Sequence, residues 1–209
     1  MEIEKKKNIH PVYQVFKRIL DLFFSFISII VFLPFFLVLV AINAFITKGH
    51  PLFIQDRSGR NNKPFKIIKF RTMRLSVPNN VPTEELKENE GMYFKFGYIL
   101  KKSHLDEFPQ LWNILLGQMS FVGPRPGLVT QFDLIEYRRE NGSISLRPGL
   151  TGLAQIAVDN HGPLTQKEKS VKDKEYMDDM SLGLDTKILF KTLSKVFGNL
   201  KTRKKSKNK

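Results

Sequence analysis

Cysteine is absent from the 209 residues. That excludes a disulfide scaffold, a Cys-ligated zinc or iron–sulfur site and a thiol nucleophile. Histidine is scarce. The four present are His10, His50, His104 and His161, and no two share a helical ligand spacing, which argues against a His-rich zinc site. Acids are short too: 20 Asp and Glu face 34 Lys and Arg, for a net charge of +14. There are no internal repeats. Hydrophobic residues make up 42% of the chain and charged residues 26%, as in ordinary globular proteins. The length suits one domain with an appendage and allows a sizeable core.

One segment departs from these averages. From Ile19 to Ile46 the chain is almost wholly apolar, and Asp21 is its one formal charge. About 20 apolar residues are enough to cross a bilayer. The run is too long, too rich in Phe and too far from the start for a cleaved signal peptide, and it leads into Thr47-Lys48-Gly49 without a small-residue cleavage site. A buried core helix is the alternative. Both flanks are basic: Lys5, Lys6, Lys7, Lys17 and Arg18 before, then Lys48, Arg57, Arg60, Lys63, Lys66, Lys69, Arg71 and Arg74 after. Basic flanks prefer the cytoplasm, and a single span must place one of them outside. Pro34, near the middle, removes a helical hydrogen bond and favours a bend. Together these predict a broken, re-entrant membrane helix, with Ser25, Ser28 and Asn43 as candidate partners for the freed backbone groups.

The rest reads as mainly α with a small β-hairpin. A basic lead-in occupies residues 1–15, the membrane helix 16–47, a compact cytoplasmic α/β domain 48–200 and a basic tail 201–209. Leu52–Asp56 and Pro64–Phe70 flank a turn-rich stretch and predict the hairpin. A short helix is expected around Glu84–Glu88, and others over Phe94–Lys102, Asp106–Leu116, Gly127–Glu140 and Leu164–Met180. Leu184–Leu200 places apolar residues at helical spacing opposite Lys187, Lys191 and Lys195, as in an amphipathic helix lying on a surface or covering a core. The tail, KTRKKSKNK, has six basic residues and no acid. It is either a solvated extension or an attraction to anionic membrane lipids.

Three blocks carry the chemistry. They are Lys69-Phe70-Arg71-Thr72-Met73, then Leu105-Asp106-Glu107-Phe108-Pro109-Gln110 followed by Gly123-Pro124-Arg125-Pro126, and Arg147-Pro148-Gly149-Leu150-Thr151-Gly152-Leu153-Ala154-Gln155. An acidic pair before Pro can simply open a helix. Beside arginines and lysines, however, adjacent carboxylates suit phosphoryl chemistry. One can attack phosphorus and carry it as an acyl phosphate, its neighbour can offer hard oxygen to a divalent cation, and Arg makes bidentate contacts to phosphate.

With Lys17-Arg18-Ile19-Leu20-Asp21 and Gln55-Asp56-Arg57-Ser58-Gly59 ahead of them, these blocks occur in an order that resembles the bacterial sugar transferase family. These are monotopic polyprenyl-phosphate phosphoglycosyl transferases that begin capsule, exopolysaccharide and O-antigen synthesis. The resemblance covers about Phe16 to Lys195 and suggests a small form without a larger membrane domain in front. It implies a re-entrant helix broken at Pro34, a catalytic domain on the cytoplasmic face of the bacterial inner membrane, and a Mg²⁺-dependent reaction in two steps. Asp106 would attack the β-phosphate of a UDP-sugar and release UMP. The sugar phosphate would then pass to undecaprenyl phosphate. Asp106 and Glu107 would form the dyad that binds the metal or, through Glu107, assists proton removal. Arg57, Lys69, Arg71, Lys101, Arg125, Arg147 and Asp185 would surround the substrate phosphates.

The match has departures. Leu33 stands where Ser usually precedes the Pro, Lys101 where Arg is usual, His104 where a small residue is usual, and Asp159 where a basic residue is usual. The sugar is therefore not legible, and a homodimer stays open. Two competing readings use the same charge and apolar run. One is a membrane-anchored nucleic-acid binder, disfavoured because the cations are dispersed and no stacking platform is evident. The other is a structural scaffold indifferent to both acids. The expectation is an enzyme with no nucleic-acid partner.

Overall fold

The apolar run forms the longest element. A computed structural model describes residues 11–77, 90–158 and 162–206, with side chains described for 12–77, 91–158 and 162–196. In it, helix α1 runs over Pro11–Thr47 with Pro34 inside. It starts within the expected lead-in, earlier than Phe16, because Pro11 suits the first helical position and Tyr13 and Lys17 are already engaged by Asp185. The helical path continues through Pro34 as one element, so the expected break is not an interruption of the helix. Nor do the candidate polar partners serve it. Ser25 bonds back to the Leu22 carbonyl, while Asn43 donates to the carbonyls of Pro51 and Arg71 at 2.6 and 3.1 Å.

One stripe of α1 is buried against the rest of the chain: Asp21, Ser25 and Ile29 before Pro34, then Leu39, Asn43 and Thr47 after it. The other faces expose large apolar side chains, among them Phe23, Ile30, Val31, Leu37, Val38 and Phe45. Among the described residues α1 is the one helix long and apolar enough to cross a membrane.

Strands β1 (Leu52–Ser58) and β2 (Pro64–Phe70) form the expected antiparallel hairpin, with Leu52 opposite Phe70 and Ser58 opposite Pro64. Alternation over the first half of β2 buries Phe65 and Ile67, and Phe70 is buried at its end out of that phase. Helix α2 (Lys95–Lys102) follows; the helix expected around Glu84–Glu88 lies outside the described residues. Next, the helix expected over Asp106–Leu116 divides. Leu105–Glu107 is a 3-10 turn entered through His104 at φ 57°, and α3 is the separate Gln110–Leu115. Pro109, which has no N–H to donate, begins the new helix.

A second sheet was not anticipated. Strands β3 (Ser120–Val122) and β4 (Gly149–Thr151) pair in parallel, Ser120 opposite Gly149. Three-residue strands are too short to show alternation in a sequence. This pairing joins the Gly123-Pro124-Arg125-Pro126 block to the Arg147–Gln155 block. A Cβ on Gly149 would lie 2.1 Å from the Gly123 nitrogen, so the approach requires glycine.

Helix α4 (Phe132–Glu140) is shorter than expected, because Leu128 is bridged to Arg57 in extended form. Helix α5 covers Leu153–Ala157, and α6 (Gln166–Asp179) opens with a Thr165–Glu168 capping box. Helix α7 (Leu182–Ser206) carries its backbone into the basic tail. It is amphipathic as read, exposing Leu182, Phe190 and Leu193 while burying Ile188. Two core clusters take residues from α1. Ile29 packs with Ile67, Ile114 and Met119, and Leu39 packs with Phe70 and Leu100. A third unites Val122, Leu146, Tyr176 and Ile188.

Candidate active site

Asp106 and Glu107 share one tight turn but differ in surroundings. Glu107 Oε1 accepts from Lys69 Nζ at 2.8 Å and from Arg125 Nη2 at 2.9 Å. The first cation comes from the end of β2 and the second from the loop after β3, so two motifs distant in sequence converge on one oxygen. Burial pushes Glu107 up, but the charges and hydrogen bonds of Lys69 and Arg125 prevail and hold it well below the usual carboxylate range. Burial draws Lys69 below its ordinary value, against the pull of Glu107.

Asp106 is 9% exposed and accepts no hydrogen bond among the described residues. Burial, followed by the charge of Glu107, pushes its pKa up to about 6, while Lys69, His104 and Arg125 act in the other direction. The turn therefore holds one carboxylate clamped at a single oxygen by two cations beside one that is desolvated and unengaged. Such a group is ionised at neutral pH and poorly hydrated, which suits a nucleophile.

Lys69 and Arg125 also open onto a cleft of about 140 Å³ that runs between the Pro126–Gln131 loop, α4, α5 and α6. Its charged lining is wholly basic: Arg57, Lys69, Arg125, Arg138 and Lys169. Leu134, Ala154, Val158 and Leu164 supply apolar walls. Gln155 also faces it; its Nε2 donates to the Leu150 carbonyl at 3.2 Å, and its Oε1 is buried without a partner among the described residues. A cleft lined by one sign of charge attracts an anionic ligand.

The remaining expected site residues are dispersed. Arg57 lies in the cleft, braced by Gln55 at 2.6 Å and by the Pro126 carbonyl at 3.3 Å. Lys101 lies on α2, bonded to the Tyr93 hydroxyl and 4.6 Å above its ring. Arg71 turns to the exit of α1, where it donates to the His50 carbonyl and stacks over Phe53. Arg147 donates to the Gly117 carbonyl at 2.9 Å; burial, together with Arg18 and Arg60, lowers its pKa. Asp185 is held by Tyr13, Lys17 and Tyr176 where α1 meets α6 and α7. Asp159 lies outside the described residues.

Sequence reasoning missed Arg138, Asp173, Gln131 and Lys169. The first two left a signal. Arg138 follows Leu134 and Ile135 on the buried face of α4, and Asp173 lies between Ser170 and Tyr176 on that of α6. Charges at helical spacing among core positions mark a buried pair. As to metal, no group of three or more His, Asp or Glu able to hold an ion occurs among the described residues; the carboxylates beside the cleft's Lys69 and Arg125 are Glu107 and its neighbour Asp106.

Comparison with known proteins places the chain in a family. Residues 12–199 match the family model described as bacterial sugar transferase. A UDP-glucose:undecaprenyl-phosphate glucose-1-phosphate transferase of Klebsiella pneumoniae is 36% identical over 198 residues, covering 91% of this chain and 42% of that protein. The exopolysaccharide production protein PSS of Rhizobium leguminosarum bv. phaseoli is 34% identical over 190 residues, covering 86% of this chain and 94% of that protein. A UDP-N-acetylgalactosamine-undecaprenyl-phosphate N-acetylgalactosaminephosphotransferase of Aeromonas hydrophila is 32% identical over 194 residues, covering 88% and 44%. This chain thus spans less than half of the first and third relatives and nearly all of the second. A match across nearly its whole length, through the segment that builds the carboxylate turn, means that the chain belongs to the bacterial sugar transferase family.

Proposed function

We propose that this chain moves a sugar-1-phosphate from a UDP-sugar to undecaprenyl phosphate, as an opening step of polysaccharide synthesis, through an aspartyl-phosphosugar on Asp106. The observation that carries this reading is the unengaged, desolvated carboxylate of Asp106 beside the doubly clamped Glu107. In the first step an Asp106 oxygen forms a bond to the β-phosphorus. The bond from that phosphorus to the bridging oxygen breaks, and its electron pair leaves with UMP. In the second, a phosphate oxygen of undecaprenyl phosphate attacks the same phosphorus and restores the carboxylate. Lys69 and Arg125 offset the repulsion between nucleophile and diphosphate. Their grip on Glu107 fixes the turn and keeps that acid ionised, which makes it a poor proton acceptor but leaves its second oxygen able to face a cation.

The donor set fits Mg²⁺. This ion uses one or two carboxylates together with substrate phosphates rather than a complete protein cage. Asp106 lacks hydrogen-bond partners, and the clamp on Glu107 occupies Oε1. These two residues would hold the ion. When bound, it would neutralise phosphate charge.

The same reading makes α1 re-entrant. Its start is tied to Asp185 and its end to the carbonyls of Pro51 and Arg71. A straight helix of 37 residues would measure about 55 Å, against a hydrocarbon core of about 30 Å. Ends fixed to one domain cannot lie on opposite faces of a bilayer. The exposed apolar faces then meet lipid on the cytoplasmic side of the inner membrane, with the basic tail near anionic head groups.

Incubation with a panel of UDP-sugars labelled in the β-phosphate, without lipid acceptor, tests the reaction. One donor should release UMP and leave label on the protein, and Asp106→Asn should retain none. Cysteines placed at Lys7 and Lys63 test the topology: both should resist an impermeant reagent in intact cells, and outside labelling of one would establish a straight span.

A further inference from the structure

Arg138 is only 7% exposed. Its Nε lies 2.8 Å and its Nη2 2.6 Å from Asp173 Oδ2, and Nη2 also donates to the Arg125 carbonyl at 3.0 Å. Nη1 makes no hydrogen bond among the described residues. Arg138 lines the cleft, and Nη1 lies 3.9 Å from the place a Cβ on Gly127 would occupy. The guanidinium is thus locked in one orientation, with one nitrogen left without a hydrogen bond among the described residues, beside Gly127 of the same basic cleft.

We infer that Arg138 is a substrate-binding residue that holds the nucleotide-side phosphate of the donor through Nη1, with Asp173 as the residue that positions it. This rests on the UDP-sugar reading above. If the β-phosphorus faces Asp106, beside Lys69 and Arg125, the rest of the donor extends along the cleft towards α4 and α6. The α-phosphate then lies among the remaining cations of the cleft, of which Arg138 is the one fixed by a buried carboxylate. Charge grows on that phosphate as UMP departs, so a guanidinium already held in place stabilises the leaving group without reorganising. The simpler role is a brace tying the Arg125 loop to α6. A brace needs only the Nη2 bond and would serve both half-reactions alike, because Arg125 supports Glu107 in each. A phosphate contact would serve the first half-reaction alone, since UMP has gone before lipid phosphate attacks.

The test separates the half-reactions in purified full-length protein. Arg138→Met removes the guanidinium. Because this leaves Asp173 buried without its partner, a second variant, Arg138→Gln with Asp173→Asn, removes both charges and keeps a hydrogen-bonding pair. Single-turnover UMP release without acceptor should fall by about a hundredfold, the scale of losing one preorganised donor. Inhibition by added UMP should need at least about tenfold more nucleotide. Labelled enzyme allowed to accumulate and freed of UMP should still discharge to undecaprenyl phosphate within about threefold of wild type. Equal losses in both steps would reduce Arg138 to a brace, and unchanged UMP release and inhibition would remove it from the site. Wild type that releases no UMP from any donor would overturn the donor reading and this inference together. An active wild type with an unaltered paired variant would overturn this inference alone.

Discussion

Asp106 and Asp185 are both buried aspartates next to lysine, yet they occupy opposite kinds of site. Asp185 receives the hydroxyls of Tyr13 and Tyr176 at 2.7 Å each, as well as the ammonium of Lys17. Burial and then Asp185 itself raise the Tyr176 phenol far above its ordinary value, which keeps it a neutral donor. Every group in that knot is engaged, and its consequence is mechanical: the start of α1 is tied to α6 and α7. Asp106 lacks such donors, and two of the cations that act on it, Lys69 and Arg125, are engaged by Glu107. A buried carboxylate with satisfied oxygens holds a structure together. One that is desolvated and unsatisfied has a raised pKa and oxygen lone pairs free to react.

Removing the two charges should separate these roles, and the largest effect belongs to the turn. Asp106→Asn should lower turnover by several orders of magnitude through loss of the covalent step, and Glu107→Gln should lower it by about 10²–10³-fold. Steady-state UMP release measures both. Asp106→Asn should also raise the melting temperature. The group titrates at 3.8 in its ordinary state and at about 6 in the fold. Its contribution to stability is therefore complete below about pH 4 and declines as pH rises through about 6. Removing the charge at pH 7.5 should stabilise by on the order of 1–3 kcal/mol. An unchanged melting temperature would mean that the carboxylate is not desolvated.

The pH profile sharpens the contrast. Wild-type turnover should fall on the acid side as Asp106 is protonated, about tenfold per unit once it titrates, with a bound divalent cation moving that limb below the value of about 6 held by the free site. Glu107, held well below the usual range, should add no second inflection above pH 4.

Asp185→Asn should act in the opposite sense from Asp106→Asn. Loss of one partner of a buried pair costs about 3 kcal/mol, read as a lower melting temperature. Turnover of the folded fraction in detergent should stay within a few-fold of wild type. A loss matching that of Glu107→Gln would move Asp185 into the chemistry. The smallest effect is expected from deleting Lys201–Lys209. Binding to anionic vesicles should weaken, by up to about 1 kcal/mol per basic residue, while detergent activity is retained.

Much of this was legible from spacing alone. The apolar run, its basic flanks, the hairpin and the amphipathic Leu184–Leu200 pattern follow from periodicity and charge, which act locally. The acidic pair and the Lys and Arg motifs were legible as a set of reactive groups. Their partition was not. Nothing in the order of residues shows that Lys69 and Arg125 meet on one oxygen of Glu107, that Asp185 belongs with Tyr13 and Tyr176, or that Arg147 serves the Gly117 turn. Those assignments depend on a parallel pairing of two three-residue strands and on packing α1 along one stripe. Residue types thus determined which chemistry is available to this protein. Tertiary structure decided which carboxylate is left unengaged, because burial and hydrogen-bond saturation arise only when segments distant in sequence come together.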